Sequence, residues 1–155
     1  MDEKQLETVD YENVLYKSYA FPYRQFKAVV QEFSDGIRKR GLKAKGMFFY
    51  TLDGIDQKDE GDSEVRVTLY QPLAQPVSHV DDGYMFEDRH YYGGLTYRVV
   101  EDDYDRNAQK AYFEIMDEAK EKGKRVTSAF YNEFLETKDE KGNKKVICVI
   151  KAQIE

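Results

Sequence analysis

The acid best placed to do chemistry is Glu133. It stands inside the aromatic run Phe130-Tyr131-Asn132-Glu133-Phe134-Leu135 rather than in a charged loop. A carboxylate among aromatic rings attracts a cation or a donor-rich ligand, and desolvation there favours its neutral form. Lys151, in the closing stretch V-I-C-V-I-K-A-Q-I, is the cation placed to answer it. Two readings stay open: a ligand-facing carboxylate, or a solvated acid or cross-strand ion pair with Lys151. Tyr50, Tyr70 and Tyr131 are the rings expected beside it. The chain carries 13 Tyr and 9 Phe but no Trp, and rings that are apolar in body and polar at the tip suit the wall of a cleft.

Other chemistries lack their parts. His79, His90 and the lone Cys148 show no metal-ligand spacing. Asp103, Asp105, Asn107 and Glu114 fall at calcium-loop positions, but Ala108 stands where that loop requires Gly, so these residues read as an acid-capped helix start. There is no Gly-x-Ser-x-Gly, Cys148 lies mid-strand without a base, and Gly93-Gly94 stands alone without a phosphate loop. No cofactor is expected. Glu133 is an acid that could serve as general base in a small hydrolytic reaction, with no nucleophile or second acid beside it.

The composition bounds the partners. The 155 residues are 41% hydrophobic and 35% charged, with a formal net charge of −6, a globular mix without the basic face that phosphate backbones require. Nucleic-acid binding is not expected. No apolar run approaches membrane-spanning length. The polar, acidic start Met-Asp-Glu-Lys-Gln-Leu-Glu does not read as a signal peptide, and a single Cys fits a reducing cytoplasm. Nothing in the sequence fixes an oligomeric state.

The elements that must position Glu133 appear twice. Gly41 to Pro72 reads as a glycine, a strand through M-F-F-Y-T-L, a charged turn and the strand V-R-V-T-L-Y-Q-P. Gly123 to Ile154 repeats that order. Tyr50 to Val65 and Tyr131 to Val146 are both fifteen residues, whereas Gly41 to Tyr50 is nine and Gly123 to Tyr131 is eight. Each copy is preceded by a strand and a helix. In the first, a frayed entry over residues 1–11 leads to a strand over 13–21. Pro22 then opens a helix striped by Phe26, Val29, Val30, Phe33 and Ile37. In the second, a strand over 89–100 precedes a helix capped by Asp103 or Asp105 and striped by Ala108, Ala111, Tyr112, Ile115 and Ala119. Basic residues crowd both helix C-termini, where they oppose the dipole. The expectation is one α+β domain over 1–155, a duplicated β-α-β-β unit with halves near 12–74 and 87–154. Its single antiparallel sheet has both helices on one face and a cleft on the other.

Strand alternation then assigns faces. Phe49, Phe130 and Phe134 are expected under the helices, with Tyr50, Tyr131 and Glu133 opposite. Val65, Val67 and Leu69 match Val146, Cys148 and Ile150 as the helix-facing set. Arg66, Thr68 and Tyr70, and Ile147, Val149 and Lys151, are left for the second face. In this alignment Glu133 stands where the first copy has Leu52, and Lys151 where it has Tyr70.

With the repeat laid out, the chain resembles the GyrI-like effector-binding domains, found in multidrug-sensing transcription activators and as stand-alone proteins. The likeness rests on Phe130-Tyr131-Asn132-Glu133-Phe134-Leu135, on the helix from Ala108 to Lys122 with Gly123 after it, and on the closing V-I-C-V-I-K-A-Q-I. The chain departs from the family pattern in lacking a His-x-Gly before the second helix and in carrying Leu135 where an aromatic is common. Through K-G-M-F-F-Y-T-L-D-G-I and R-V-T-S-A-F-Y it is also similar to stand-alone YxxD-like antitoxins of Gram-positive bacteria, proteins that sit beside LXG toxins of type VII secretion. The resemblance implies a non-catalytic cytoplasmic partner that neutralises or escorts an LXG-type toxin, meeting it through the acidic loops at 53–62 and 81–88. The GyrI-like likeness alternatively implies a binder of small molecules, lipophilic cations among them, through Glu133 and the Tyr-lined face.

Overall fold

The computed structural model describes residues 6–56 and 63–155. The expected acidic loop at 53–62 lies outside the described residues from 57 onward. The chain is α+β: β1 (Glu7–Pro22), a short 3-10 turn (Tyr23–Gln25), α1 (Phe26–Lys39), β2 (Phe49–Asp56), β3 (Glu64–Pro72), β4 (Met85–Val100), α2 (Tyr104–Glu121), β5 (Phe130–Lys138) and β6 (Lys144–Gln153). The order β-α-β-β occurs twice, and the strand pairs within each copy are antiparallel. By contacts the chain divides into two compact units, Asp10–Tyr91 and Met1–Val9 with Tyr92–Glu155.

In the Asp10–Tyr91 unit, β3 lies between β1 and β2. Val29, Phe33 and Ile37 form the buried stripe of α1. The helix begins one turn later than expected. Pro22 is the last residue of β1, opposite Glu64 on the β3 ladder and with an extended ψ of 135°. Its fixed φ is compatible with a strand end as well as with a helix start, and the ladder decides. The strand also begins at Glu7, so residues 7–11 of the expected frayed entry belong to β1. The connection after β3 does more than link the halves. Tyr84 is buried, its ring 5.8 Å from Phe33 and its hydroxyl donating to the Phe33 carbonyl at 3.2 Å. Arg40, at the end of α1, lies over the Tyr84 ring and bonds Asp81 at 2.8 Å and Asp82 at 3.0 Å.

In the Tyr92–Glu155 unit, β6 lies between β4 and β5. Ala108, Ala111 and Ile115 of α2 pack on Cys148, Ile150 and Ala152 of β6, with Phe130 and Phe134 at the margin. Asp103 holds the N-cap position of α2, but in the left-handed region at φ 46° and with no capping side-chain bond. Its carbonyl accepts from the Asn107 amide instead, and the Asn107 side chain bonds the Asp102 carbonyl. Gly94 takes φ +69°, and the ladder from β4 to β6 begins immediately after it at Leu95.

The two helices stop in the same way. The Leu42 amide reaches back to the Ile37 carbonyl, and the Lys124 amide to the Ala119 carbonyl, each around a glycine at positive φ, Gly41 and Gly123. This is the six-to-one closure that needs a left-handed residue at its centre. Three residues beyond each glycine an isolated bridge forms, Ala44 with Leu73 and Val126 with Ile154. Cross-strand register continues the correspondence: Phe49 is opposite Tyr70, and Tyr131 is opposite Lys151.

That correspondence corrects the face assignment of β2. Counted from the glycines, Phe49 matches Tyr131, Tyr50 matches Asn132 and Thr51 matches Glu133. Aligning Tyr50 with Tyr131 was one residue out, and a slip of one residue exchanges the two faces of a strand. Tyr50 therefore lies on the helix side, its ring 5.0 Å from Phe26, while Phe49 shares the other face with Tyr70, ring to ring at 4.7 Å. The first-copy equivalent of Glu133 is Thr51 rather than Leu52. The odd residue is absorbed at Asp53, where the ladder shifts between Leu52 and Gly54, a bulge the second copy does not have along its β5–β6 ladder.

Candidate functional site

Each unit carries its own part of the expected site. In the Tyr92–Glu155 unit, alternation along β5 sends Phe130, Asn132 and Phe134 to the α2 side and Tyr131 and Glu133 to the other. Directly opposed residues of an antiparallel pair share a face, so Tyr97, Lys151 and Tyr131 form one row across three strands, and Val99, Val149 and Glu133 the next. Glu133 and Lys151 are diagonal neighbours across these rows. Lys151 Nζ is 2.7 Å from Glu133 Oε1, with the two side chains 12% and 8% exposed. The same ammonium donates to the Thr8 carbonyl at 2.7 Å. Tyr92 lies 5.9 Å from the Tyr131 ring, and its hydroxyl donates to Gln153 Oε1 at 3.1 Å. The arrangement is a buried, mutually neutralised pair of opposite charges framed by tyrosines.

Behind it, on the helix side, sits a polar hub. Asn132 is fully buried, and its Oδ1 accepts from Tyr104 at 2.8 Å, Tyr112 at 3.0 Å and the Cys148 thiol at 3.8 Å. Burial pushes the Cys148 thiol up to about 12, with the Glu133 charge adding to the shift. A thiol so buried stays protonated at neutral pH and is a poor nucleophile. Thr96 and Arg98, which alternate with Tyr97, point to α2 and bond Glu118 at 2.9 and 2.8 Å. Burial pushes the Glu118 carboxyl up, but the Arg98 and Thr96 bonds outweigh it, and the group lies below its ordinary value.

In the Asp10–Tyr91 unit the corresponding face is built differently. Tyr70 stacks on Tyr16 at 5.5 Å and on Phe49 at 4.7 Å, and His90, whose Nδ1 is 2.5 Å from Glu87, packs on both Phe49 and Tyr70. Burial pushes the Tyr70 phenol up to about 12, with the Asp53 charge adding to the shift and a bond with Thr51 opposing it. The bulge turns the Asp53 carboxylate back onto this face, where it accepts from Thr51 at 2.8 Å and Thr68 at 2.7 Å. Each copy thus places a carboxylate beside tyrosine, Glu133 in register and answered by a lysine, Asp53 on a bulge and answered by hydroxyls.

The structure brings Glu133, Lys151 and Tyr131 together in one unit, and places Tyr70, with Phe49 in the role expected of Tyr50, in the other. Sequence reasoning missed Tyr97, Tyr92 and Thr8, which reach this face from strands remote in the chain. It also missed Asp53: the spacing shows one extra residue in the first copy, but only the ladder places it at Asp53. A separate open groove of about 300 Å³ lies between the end of β4 and α2, lined by residues that include Arg98, Lys110 and Glu114. Among the described residues no helix is long and apolar enough to cross a membrane.

The duplicated β-α-β-β architecture is that of the GyrI-like α+β fold. The crystal structure of the EcmrR C-terminal domain is similar over 97% of this chain and 97% of that one, with a TM-score of 0.61 at 14% identity. The EcmrR chain in a cryo-EM structure of the EcmrR–DNA complex is similar over 97% of this chain with a TM-score of 0.63 at 13% identity, and this chain spans 57% of its length. No family model matches the chain, and no curated protein matches it at a significant level.

Proposed function

We propose that the protein is a non-catalytic effector-binding module for a small amphipathic organic molecule, taken at the tyrosine-framed face that carries Glu133. The observation that supports this most is the buried Glu133–Lys151 pair. Burying two charges costs several kcal/mol each before their attraction is counted, and hydrophobic replacements are often as stable. A pair kept there, with Lys151 flanked by Tyr131 and Tyr97, suits recognition of a polar group on an aromatic body. The likeness of fold to the C-terminal domain of EcmrR is in keeping with a ligand-binding role. Glu133 engaged by a lysine, with Cys148 held protonated, favours binding over hydrolysis.

The toxin-partner reading rests on the sequence resemblance. Of the acidic loops through which it would act, the described turn has Asp81 and Asp82 engaged by Arg40, which weakens it as a free docking surface. Pull-down with an LXG-type toxin tests that reading directly.

The small-molecule reading is tested by thermal shift against neutral, zwitterionic and cationic aromatic amphipaths. A binder present at a hundred times its Kd should stabilise the fold by about 2.7 kcal/mol, a rise of several degrees in Tm. That rise should vanish in Glu133→Gln. A panel without a single shift would sink the reading.

A further inference from the structure

Lys151 occupies the position beside Glu133 that the cationic group of a ligand would take. Its ammonium is held from two sides, by Glu133 Oε1 and by the Thr8 carbonyl, each at 2.7 Å. Apart from Glu133, the residues that share its two rows are tyrosines and valines, Tyr97, Tyr131, Val99 and Val149. The face is therefore dipolar, where a lone carboxylate would make it anionic. A monocation approaching Glu133 would have to displace Lys151 and leave a buried ammonium without its counter-ion, which is costly. A ligand bearing both charges, or a neutral donor–acceptor pair, meets the carboxylate and the ammonium together and strands neither.

Resting on the effector-binding reading above, we propose that Lys151 is the specificity-determining residue of this face, excluding lipophilic monocations and selecting zwitterionic or neutral donor–acceptor molecules with an aromatic body. Discrimination by an unanswered charge is stronger than discrimination by shape.

The test is calorimetric titration of the full chain with two probes, tetraphenylphosphonium as the monocation and pyridinium propanesulfonate as the zwitterion. The wild type should bind the zwitterion at least about ten-fold more tightly. Lys151→Met should reverse that order and gain about ten-fold or more for the phosphonium, and adding Glu133→Gln should remove the gain. Lys151→Gln, which keeps a hydrogen-bond donor, serves where the methionine variant does not fold. Equal phosphonium affinity in the wild type and the folded Lys151 variants overturns the proposal while leaving the effector-binding reading standing, provided binding still depends on Glu133. Failure of every probe and every panel member to bind either form defeats the effector-binding reading, and this inference with it.

Discussion

Glu133 and Lys151 meet at 2.7 Å as diagonal neighbours on β5 and β6, both almost wholly buried. Removing one partner takes from the other the opposite charge it is buried against, whereas removing both leaves neither charge. Lys151→Met and Glu133→Leu should each cost about 3–5 kcal/mol in urea denaturation, and the double variant should recover most of that loss. Additive losses would show that the two charges do not depend on each other.

Asn132 carries the hydroxyls of Tyr104 and Tyr112 on one buried oxygen. Asn132→Leu takes this acceptor from both hydroxyls, and losing the buried partner of a hydrogen bond costs about 1–3 kcal/mol. We expect a loss of about 2–5 kcal/mol by chemical denaturation. Restoring shape without the hydroxyls, as Asn132→Leu with Tyr104→Phe and Tyr112→Phe, should return part of it.

Burial raises the Cys148 thiol from 9.0 to about 12. Above pH 9 the unfolded chain releases this proton while the folded chain keeps it, so the folded state binds more protons and stability falls as pH rises. The loss attributable to Cys148 should begin near pH 9, reach about 1.4 kcal/mol at pH 10 and level off near 12. Urea melts between pH 8 and 10 should slope downward in the wild type and less steeply in Cys148→Ala, by about 1.4 kcal/mol at pH 10. Thiol reagents should label the native protein only at the rate of unfolding.

Gly36 sits inside α1, where alanine ordinarily stabilises by about 0.5–1 kcal/mol. Here a Cβ would overlap the hydroxyl of Tyr84, which bonds the Phe33 carbonyl from a buried ring. Gly36→Ala should therefore destabilise, by about 1–3 kcal/mol in thermal or urea melts, and Tyr84→Phe should relieve part of that cost. A gain in stability would show that Tyr84 moves aside freely.

Local pattern carried a large part of this architecture. Helical periodicity gave α1 and α2, since Val29, Phe33 and Ile37, and Ala108, Ala111 and Ile115, fall on single stripes whatever packs against them. The glycines ending both helices were legible because a left-handed closure needs that residue. Alternation placed Glu133 and Lys151 on one face, since β5 and β6 pair without a bulge. It failed at Tyr50 because the faces of β2 depend on register against β3, and the extra residue is absorbed at Asp53, where no local signal marks it.

The sequence by itself therefore determined the duplication, the helices and the shared face of an acid and a lysine, because these follow from periods of two and 3.6 residues along one segment. Only the tertiary structure decided that Tyr50 belongs to the helix side and Phe49 to the other, that Asp53 turns back onto Thr51 and Thr68, and that Tyr97 and Thr8 meet Lys151 and Tyr92 meets Tyr131. Those relations join segments far apart in the chain. Their physical basis is hydrogen-bond register between strands, where one residue more or less reverses every side chain that follows.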